Sequence, residues 1–82
     1  MKILYFAKIS EELDKNEEFL FIKDKLKIID IIGILKKKDE KYNLVFNKIS
    51  NAKFAINCEY ATKYDYVTNN DELAIFPPVT GG

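Results

Sequence analysis

Apolar residues alternate from the start of the chain: Ile3, Tyr5, Ala7 and Ile9 share one parity, Leu4 and Phe6 the other. This predicts a strand over Lys2 to Ile9, buried on most of both sides. Residues 10 to 18 are polar and highly charged, and Phe19, Leu20, Phe21 and Ile22 then form a second short strand-like run. Together they predict a hairpin with a long loop. From Lys27 the period changes. Ile28, Ile31, Ile32 and Leu35 follow the i, i+3, i+4, i+7 spacing of an amphipathic helix, and Lys36, Lys37 and Lys38 suit the negative end of its dipole. A helix is predicted over about 27 to 38. Against it stand Gly33, at about 1 kcal/mol relative to alanine, and the lack of an N-cap residue unless Asp24 serves. The β-branched isoleucines leave a strand as the competing reading.

Beyond this helix, residues 39 to 52 are polar around Leu44, Val45 and Phe46, which predicts a short helix or turn anchored to the core. Lys53 to Ala61 reads as a hairpin centred on Asn57 and Cys58, because asparagine tolerates the positive φ of a tight turn. The alternative is one continuous strand with Phe54, Ile56, Cys58 and Tyr60 on one face. Asn69, Asn70 and Asp71 mark a turn before a last strand over Glu72 to Phe76. Two strands, a helix and further strands ending at the C-terminus predict an α+β domain, one main helix on a mixed sheet, with a β-grasp-like architecture.

Composition narrows what such a domain can do. At 82 residues the chain is one domain, and a chain this short buries only about 60 to 65% of its extended surface. Chemistry is therefore expected at the rim, at a tail or in a partner. Thirteen basic and thirteen acidic side chains give zero net charge, which argues against nucleic acid as a partner. The absence of histidine removes the commonest general base and metal ligand, and a lone Cys58 leaves neither a zinc site nor an internal disulfide. No metal is expected. The opening residues lack the pattern of a signal peptide, and the apolar run from Ile28 to Leu35 is interrupted by Asp30 and far too short for a membrane span. A soluble, cytoplasmic protein is expected, with no membrane contact.

The residues after the last strand are Phe76, Pro77, Pro78, Val79, Thr80, Gly81 and Gly82. The prolines cannot continue a ladder and launch the chain outward in an extended form. The residues from Pro77 on span at most about 20 Å, enough to enter another protein's cleft. Gly81 and Gly82 remove every Cβ near the terminal carboxylate, so a narrow channel can admit it. Residues 1–76 thus read as the folded domain and 77–82 as an extended reactive tail. A free carboxylate is a poor electrophile, so a partner must activate it. Adenylation followed by displacement of AMP by sulfide would leave a thiocarboxylate, and capture by a lysine amine would leave an isopeptide bond. The plainer alternative is a frayed end with no role.

This ending, with Asn70, Asp71, Glu72, Leu73, Ala74 and Ile75 before it, resembles that of the MoaD-type ubiquitin-like sulfur carriers, the small subunits of molybdopterin synthase. The likeness extends to Lys2 through Ala7, the isoleucine-rich helix, and Ala55 through Tyr60. The resemblance implies a β-grasp fold and thiocarboxylation of Gly82, beside Gly81, by an adenylating enzyme that uses ATP, with no cofactor bound to the carrier itself. It implies insertion of the tail into a large catalytic subunit, in a heterotetramer of two small and two large subunits. There the sulfur converts a cyclic pyranopterin precursor to the molybdopterin dithiolene. On the same resemblance Phe6, Tyr60 and Phe76 meet the partners, together with Pro77, Pro78, Val79 and Thr80 of the tail. Each aromatic has ordinary core packing as its alternative.

The chain departs from the family pattern at Asn70, where glycine is frequent and an asparagine tolerant of positive φ can replace it. It also reads Ile9, Ser10, Glu11, Glu12 where the family often has arginine. Cys58 stays outside the expected site, since a lone cysteine without histidine nearby reads as a small buried hydrophobe. Glu11, Glu12, Glu17 and Glu18 read as a solvated loop rather than an acid/base pair. Two other functions share the Gly-Gly end: a sulfur carrier of thiamine synthesis, which usually lacks the Pro-Pro, and a modifier conjugated to lysines. A non-covalent interaction module with an inert tail is the remaining reading.

Overall fold

A computed structural model describes residues 1–78. Its main sheet begins with β1 (Lys2–Tyr5), continues through β2 (Glu17–Phe19), β4 (Lys53–Ile56) and β5 (Glu59–Ala61), and ends with β7 (Glu72–Phe76). Its strand order is β2-β1-β7-β4-β5, with β1 and β7 parallel at the centre and the other pairs antiparallel. Three helices, α1 (Ala7–Leu13), α2 (Ile28–Lys38) and α3 (Glu40–Lys48), accompany it, and β3 (Leu26–Lys27) pairs with β6 (Tyr66–Val67) as a separate ribbon. The register sorts the side chains. Ile3, Tyr5, Leu73 and Ile75 point to the core with Ile9, Leu13, Ile28, Ile31, Leu35 and Tyr42, all at most 2% exposed. Leu4, Ala55, Ala74 and Phe76 are left on the opposite, outer face, as alternation along a strand requires.

The first strand is shorter than its alternation predicts, and residues 10 to 18 are not the simple loop they resemble. The chain turns at Ala7, whose φ of 52° is costly for any residue with a Cβ, and continues as α1. Ile9 and Leu13, four apart, fall on one face of α1 and are fully buried. Their helical spacing overlaps the strand-like alternation of Ile3 to Ile9, which conceals it. The helix closes on Asp14 in the left-handed region at φ 57°. The second strand spans Glu17 to Phe19, so of the apolar run from Phe19 to Ile22 only Phe19 belongs to it.

Glu18 departs most from a solvated glutamate. Its side chain is 10% exposed and lies on the helix side of the sheet. Tyr5 Oη donates to its Oε2 at 2.6 Å and Tyr42 Oη to the same oxygen at 2.5 Å, while Lys38 Nζ donates to Oε1 at 2.8 Å. Lys15 Nζ stands 3.6 Å from Oε1. Burial pulls the carboxyl's pKa upward, but the hydrogen bonds from Lys38, Tyr42 and Tyr5 outweigh it and hold the group at about 2. One carboxylate thereby joins β1 and β2 to the C-terminal end of α2 and to α3. The hydroxyl of Tyr5, buried and facing this carboxylate, is pushed well above the ordinary tyrosine range.

The predicted main helix is present as α2, but Asp24 does not cap it. Its N-cap is Lys27, without a side-chain bond, and the free amides of Ile28 and Ile29 donate instead to the carbonyls of Asp65 (3.0 Å) and Lys63 (2.9 Å). A loop distant in sequence does the work of a capping side chain. The short helix around Leu44 to Phe46 is α3, capped by Asp39, whose carboxylate accepts from Lys41 N at 3.0 Å.

Lys53 to Ala61 forms the hairpin, not the continuous strand: Asn57 and Cys58 both have positive φ, 50° and 70°. Asn57 also ties this turn to the next. Its Nδ2 donates to Asp71 Oδ1 and its Oδ1 accepts from Glu72 N, each at 2.9 Å. Asn70, contrary to expectation, is not in the left-handed region. Its turn is built by side chains, with Thr68 N donating to Asp71 Oδ2 at 2.7 Å and Asn70 N to Thr68 Oγ1 at 3.3 Å.

Candidate functional site

The outer face of the sheet carries the candidate site. Ala55 and Ala74 are cross-strand partners there, and two methyl groups side by side make a low floor. Tyr60 stands opposite Ala55 on the next strand, and Phe76 opposite Lys53. Phe6 joins from the end of β1, where its amide donates to Ile75 O at 3.1 Å. The positive φ of Ala7 turns the chain away directly after it. The result is a shallow depression lined by Phe6, Ala55, Cys58, Tyr60, Ala74 and Phe76.

The three aromatics expected from the sequence therefore converge. Tyr60 is 89% exposed and Phe6 46%, so neither is core, while Phe76 is half-buried. The Tyr60 and Phe76 rings lie 6.1 Å apart, tilted by 58°, within the range of favourable edge-to-face packing. Exposed aromatics around an alanine floor are what a partner's protruding apolar side chain can fill. Cys58 is exposed on the rim, not buried as its reading as a small hydrophobe expects. The hairpin explains this, since a residue at the tip of a tight turn has no core to enter. Ala55 and Ala74 are the lining residues that sequence reasoning overlooked. Their only signal is parity, since both alternate with buried neighbours on adjacent strands.

Pro77 and Pro78 follow β7 directly and are half-buried. Val79, Thr80, Gly81 and Gly82 lie outside the described residues. Among the described residues no group of three or more His, Cys, Asp or Glu side chains could hold a metal ion, and no helix is long and apolar enough to cross a membrane. The most strongly shifted carboxylate, Glu18, is saturated with donors on the other side of the sheet, so it is a structural tie and not an acid or base for this face.

A five-stranded mixed sheet with a parallel central pair, helices on one face and an aromatic-rimmed depression beside the last strand defines a β-grasp domain of the ubiquitin-like class. The sequence profile of the ThiS family matches residues 3–82, and the chain belongs to that family. A molybdopterin synthase sulfur carrier subunit of Dictyostelium discoideum is 32% identical over 83 residues, covering 99% of this chain and 94% of the relative. A protein of the same name from Chlamydomonas reinhardtii is 31% identical over 84 residues, covering 100% and 98%. Among solved structures, SAMP1 from Haloferax volcanii superposes with a TM-score of 0.78 at 21% identity, over 100% of this chain and 98% of that one. The putative molybdopterin converting factor subunit 1 from Pyrococcus furiosus gives 0.75 at 24%, with 95% of each chain covered. At such identities these two structures establish the fold alone.

Proposed function

We propose that this chain is the sulfur carrier subunit of molybdopterin synthase, with the carboxylate of Gly82 as its working group. The observation that carries the reading is the depression around Ala55 and Ala74, rimmed by Phe6, Tyr60 and Phe76, directly where the Pro77–Pro78 lever begins. The full-length likeness to two proteins named as such subunits supports it. An activating enzyme docks on the aromatic rim and takes the tail into its ATP site. The Gly82 carboxylate oxygen attacks the α-phosphorus of ATP, pyrophosphate leaves, and an acyl-adenylate forms. Sulfide then adds to the acyl carbon, AMP leaves, and loss of a proton gives the thiocarboxylate. Gly81 keeps the approach narrow enough for a channel to enclose it.

The loaded chain exchanges the activating enzyme for the large catalytic subunit through the same rim, with Val79 and Thr80 threading behind the glycines. There the thiocarboxylate sulfur bonds to a carbon of the cyclic pyranopterin precursor as that carbon's bond to oxygen breaks, water attacking the acyl carbon then frees the sulfur and returns Gly82 to a carboxylate, and a second loaded chain delivers the other sulfur of the dithiolene. The folded domain supplies address and reach, and the two partners supply the catalysis. Reconstitution tests this: the sulfur-loaded chain, mixed with the large subunit and precursor, is expected to yield molybdopterin, and the chain lacking Gly81 and Gly82 none. Conjugation to lysines of other proteins, with no sulfur uptake, would overturn the proposal in favour of a protein modifier.

A further inference from the structure

One edge of the main sheet, along β2, holds a segment complementary to itself. Along Glu17 to Ile22, the even-numbered residues turn their backbone groups toward the sheet: Glu18 pairs with Ile3, Leu20 N donates to Met1 O at 2.9 Å, and Ile22 N donates to Asn69 Oδ1 at 3.0 Å. The N–H and C=O groups of Glu17, Phe19 and Phe21 consequently face outward from the edge. Their side chains and that of Lys23 are exposed, Phe19 at 73% and Phe21 at 79%. Exposed edges are normally blunted by repelling charges, bulges or proline. Here the flanking charges are opposite in sign, and two large apolar rings lie between them.

We infer that this edge pairs with the same edge of a second copy, antiparallel and centred on Leu20. Antiparallel pairing about Leu20 sets Phe19 against the second copy's Phe21, Phe21 against its Phe19, Glu17 against its Lys23, and Lys23 against its Glu17. Every outward pair is then aromatic with aromatic or acid with base, the cross-strand combinations that stabilise sheets. Shifting the centre to Phe19 sets Glu17 against a phenylalanine and loses both ion pairs. Parallel pairing sets glutamate beside glutamate. A centre at Phe21 would set Phe19 against a lysine, so the rings and charges together select one register, with a two-fold axis through the Leu20 pair. Phe19 is level with Lys2 at the start of β1, whereas Phe76 lies beyond Tyr5 at its far end, and Tyr60 is on the opposite edge strand. The docking depressions of both copies stay open.

The contact is small, below the ~1,200 Å² of a standard interface, so association is expected only at about 0.1 to 1 mM. Sedimentation velocity on the full chain over that range tests it, with circular dichroism confirming that each variant is folded. The parent chain is expected to show a reversible monomer–dimer equilibrium. Glu17→Lys and Lys23→Glu, each placing like charges opposite one another twice per dimer, are expected to weaken self-association about tenfold. Mixing the two variants is expected to restore it as a mixed dimer, and the double exchange to restore it within one chain. A parent chain that stays monomeric throughout, single variants that associate as well as the parent, or a mixture that does not associate would each overturn the proposal.

Discussion

Replacing Glu18 by glutamine should remove the tie between sheet and helices, and its cost follows from the carboxylate's surroundings. The folded group sits at about 2 against an ordinary 4.5 because Lys38, Tyr42 and Tyr5 hydrogen-bond to its charged form and outweigh the burial that opposes it. At roughly 1.4 kcal/mol per pH unit, that gap corresponds to at most about 3.4 kcal/mol. Solvent reaching Lys38 and Lys15 reduces it, to about 2 kcal/mol. A depressed carboxylate stabilises fully above its unfolded pKa and loses that contribution as pH falls through the folded one. The cost of Glu18→Gln should therefore be complete at pH 7 and shrink between about 4.5 and 2. Urea unfolding followed by circular dichroism measures it. With a slope near 1 kcal/mol per M for a domain of this size, the midpoint should drop by about 2 M at pH 7 and by much less near pH 2.5. An unchanged midpoint at pH 7, or an equal drop at both pH values, would show that the charged Glu18 does not tie the sheet to the helices.

Gly33→Ala should stabilise the domain by about 0.5 to 1 kcal/mol in the same assay, since a Cβ there meets nothing within 4 Å and the helix gains propensity. Asp39→Ala should cost about 1 kcal/mol by removing the cap of α3. Phe76→Ala should weaken binding to the large subunit and to the activating enzyme by about 2 kcal/mol in calorimetry, while deletion of Gly81 and Gly82 should leave most of that binding intact. Cys58→Ala should take up sulfur normally by intact mass, because the proposed chemistry puts the sulfur on the acyl carbon of Gly82 and Cys58 lies on the rim of the depression.

The alternation of Glu72 to Phe76, the helical spacing of Ile28 to Leu35 and the turn preference of Asn57 were legible in the sequence because each element's local pattern agrees with its tertiary role. α1 was hidden because Ile9 belongs to two periods at once, alternating with Tyr5 and lying four residues from Leu13. The capping of α2 was invisible for a different reason, as it depends on carbonyls of Lys63 and Asp65 more than thirty residues away. The role of Glu18 likewise depends on Tyr5, Lys38 and Tyr42, which only the fold assembles. The aromatics of the site came from family likeness, whereas its alanine floor required the register of β4 against β7.

Whether Gly82 carries the sulfur on its own carboxyl carbon is read from the intact mass of the chain. The chain is incubated with the activating enzyme, ATP and sulfide, alongside a variant with one alanine appended after Gly82. The parent is expected to exchange one oxygen for one sulfur, with the change confined to the C-terminal peptide, and the extended chain to stay unmodified while remaining folded. Sulfur uptake by the extended chain, or a parent chain of unchanged mass under the same conditions, would contradict sulfur on the Gly82 carboxyl carbon.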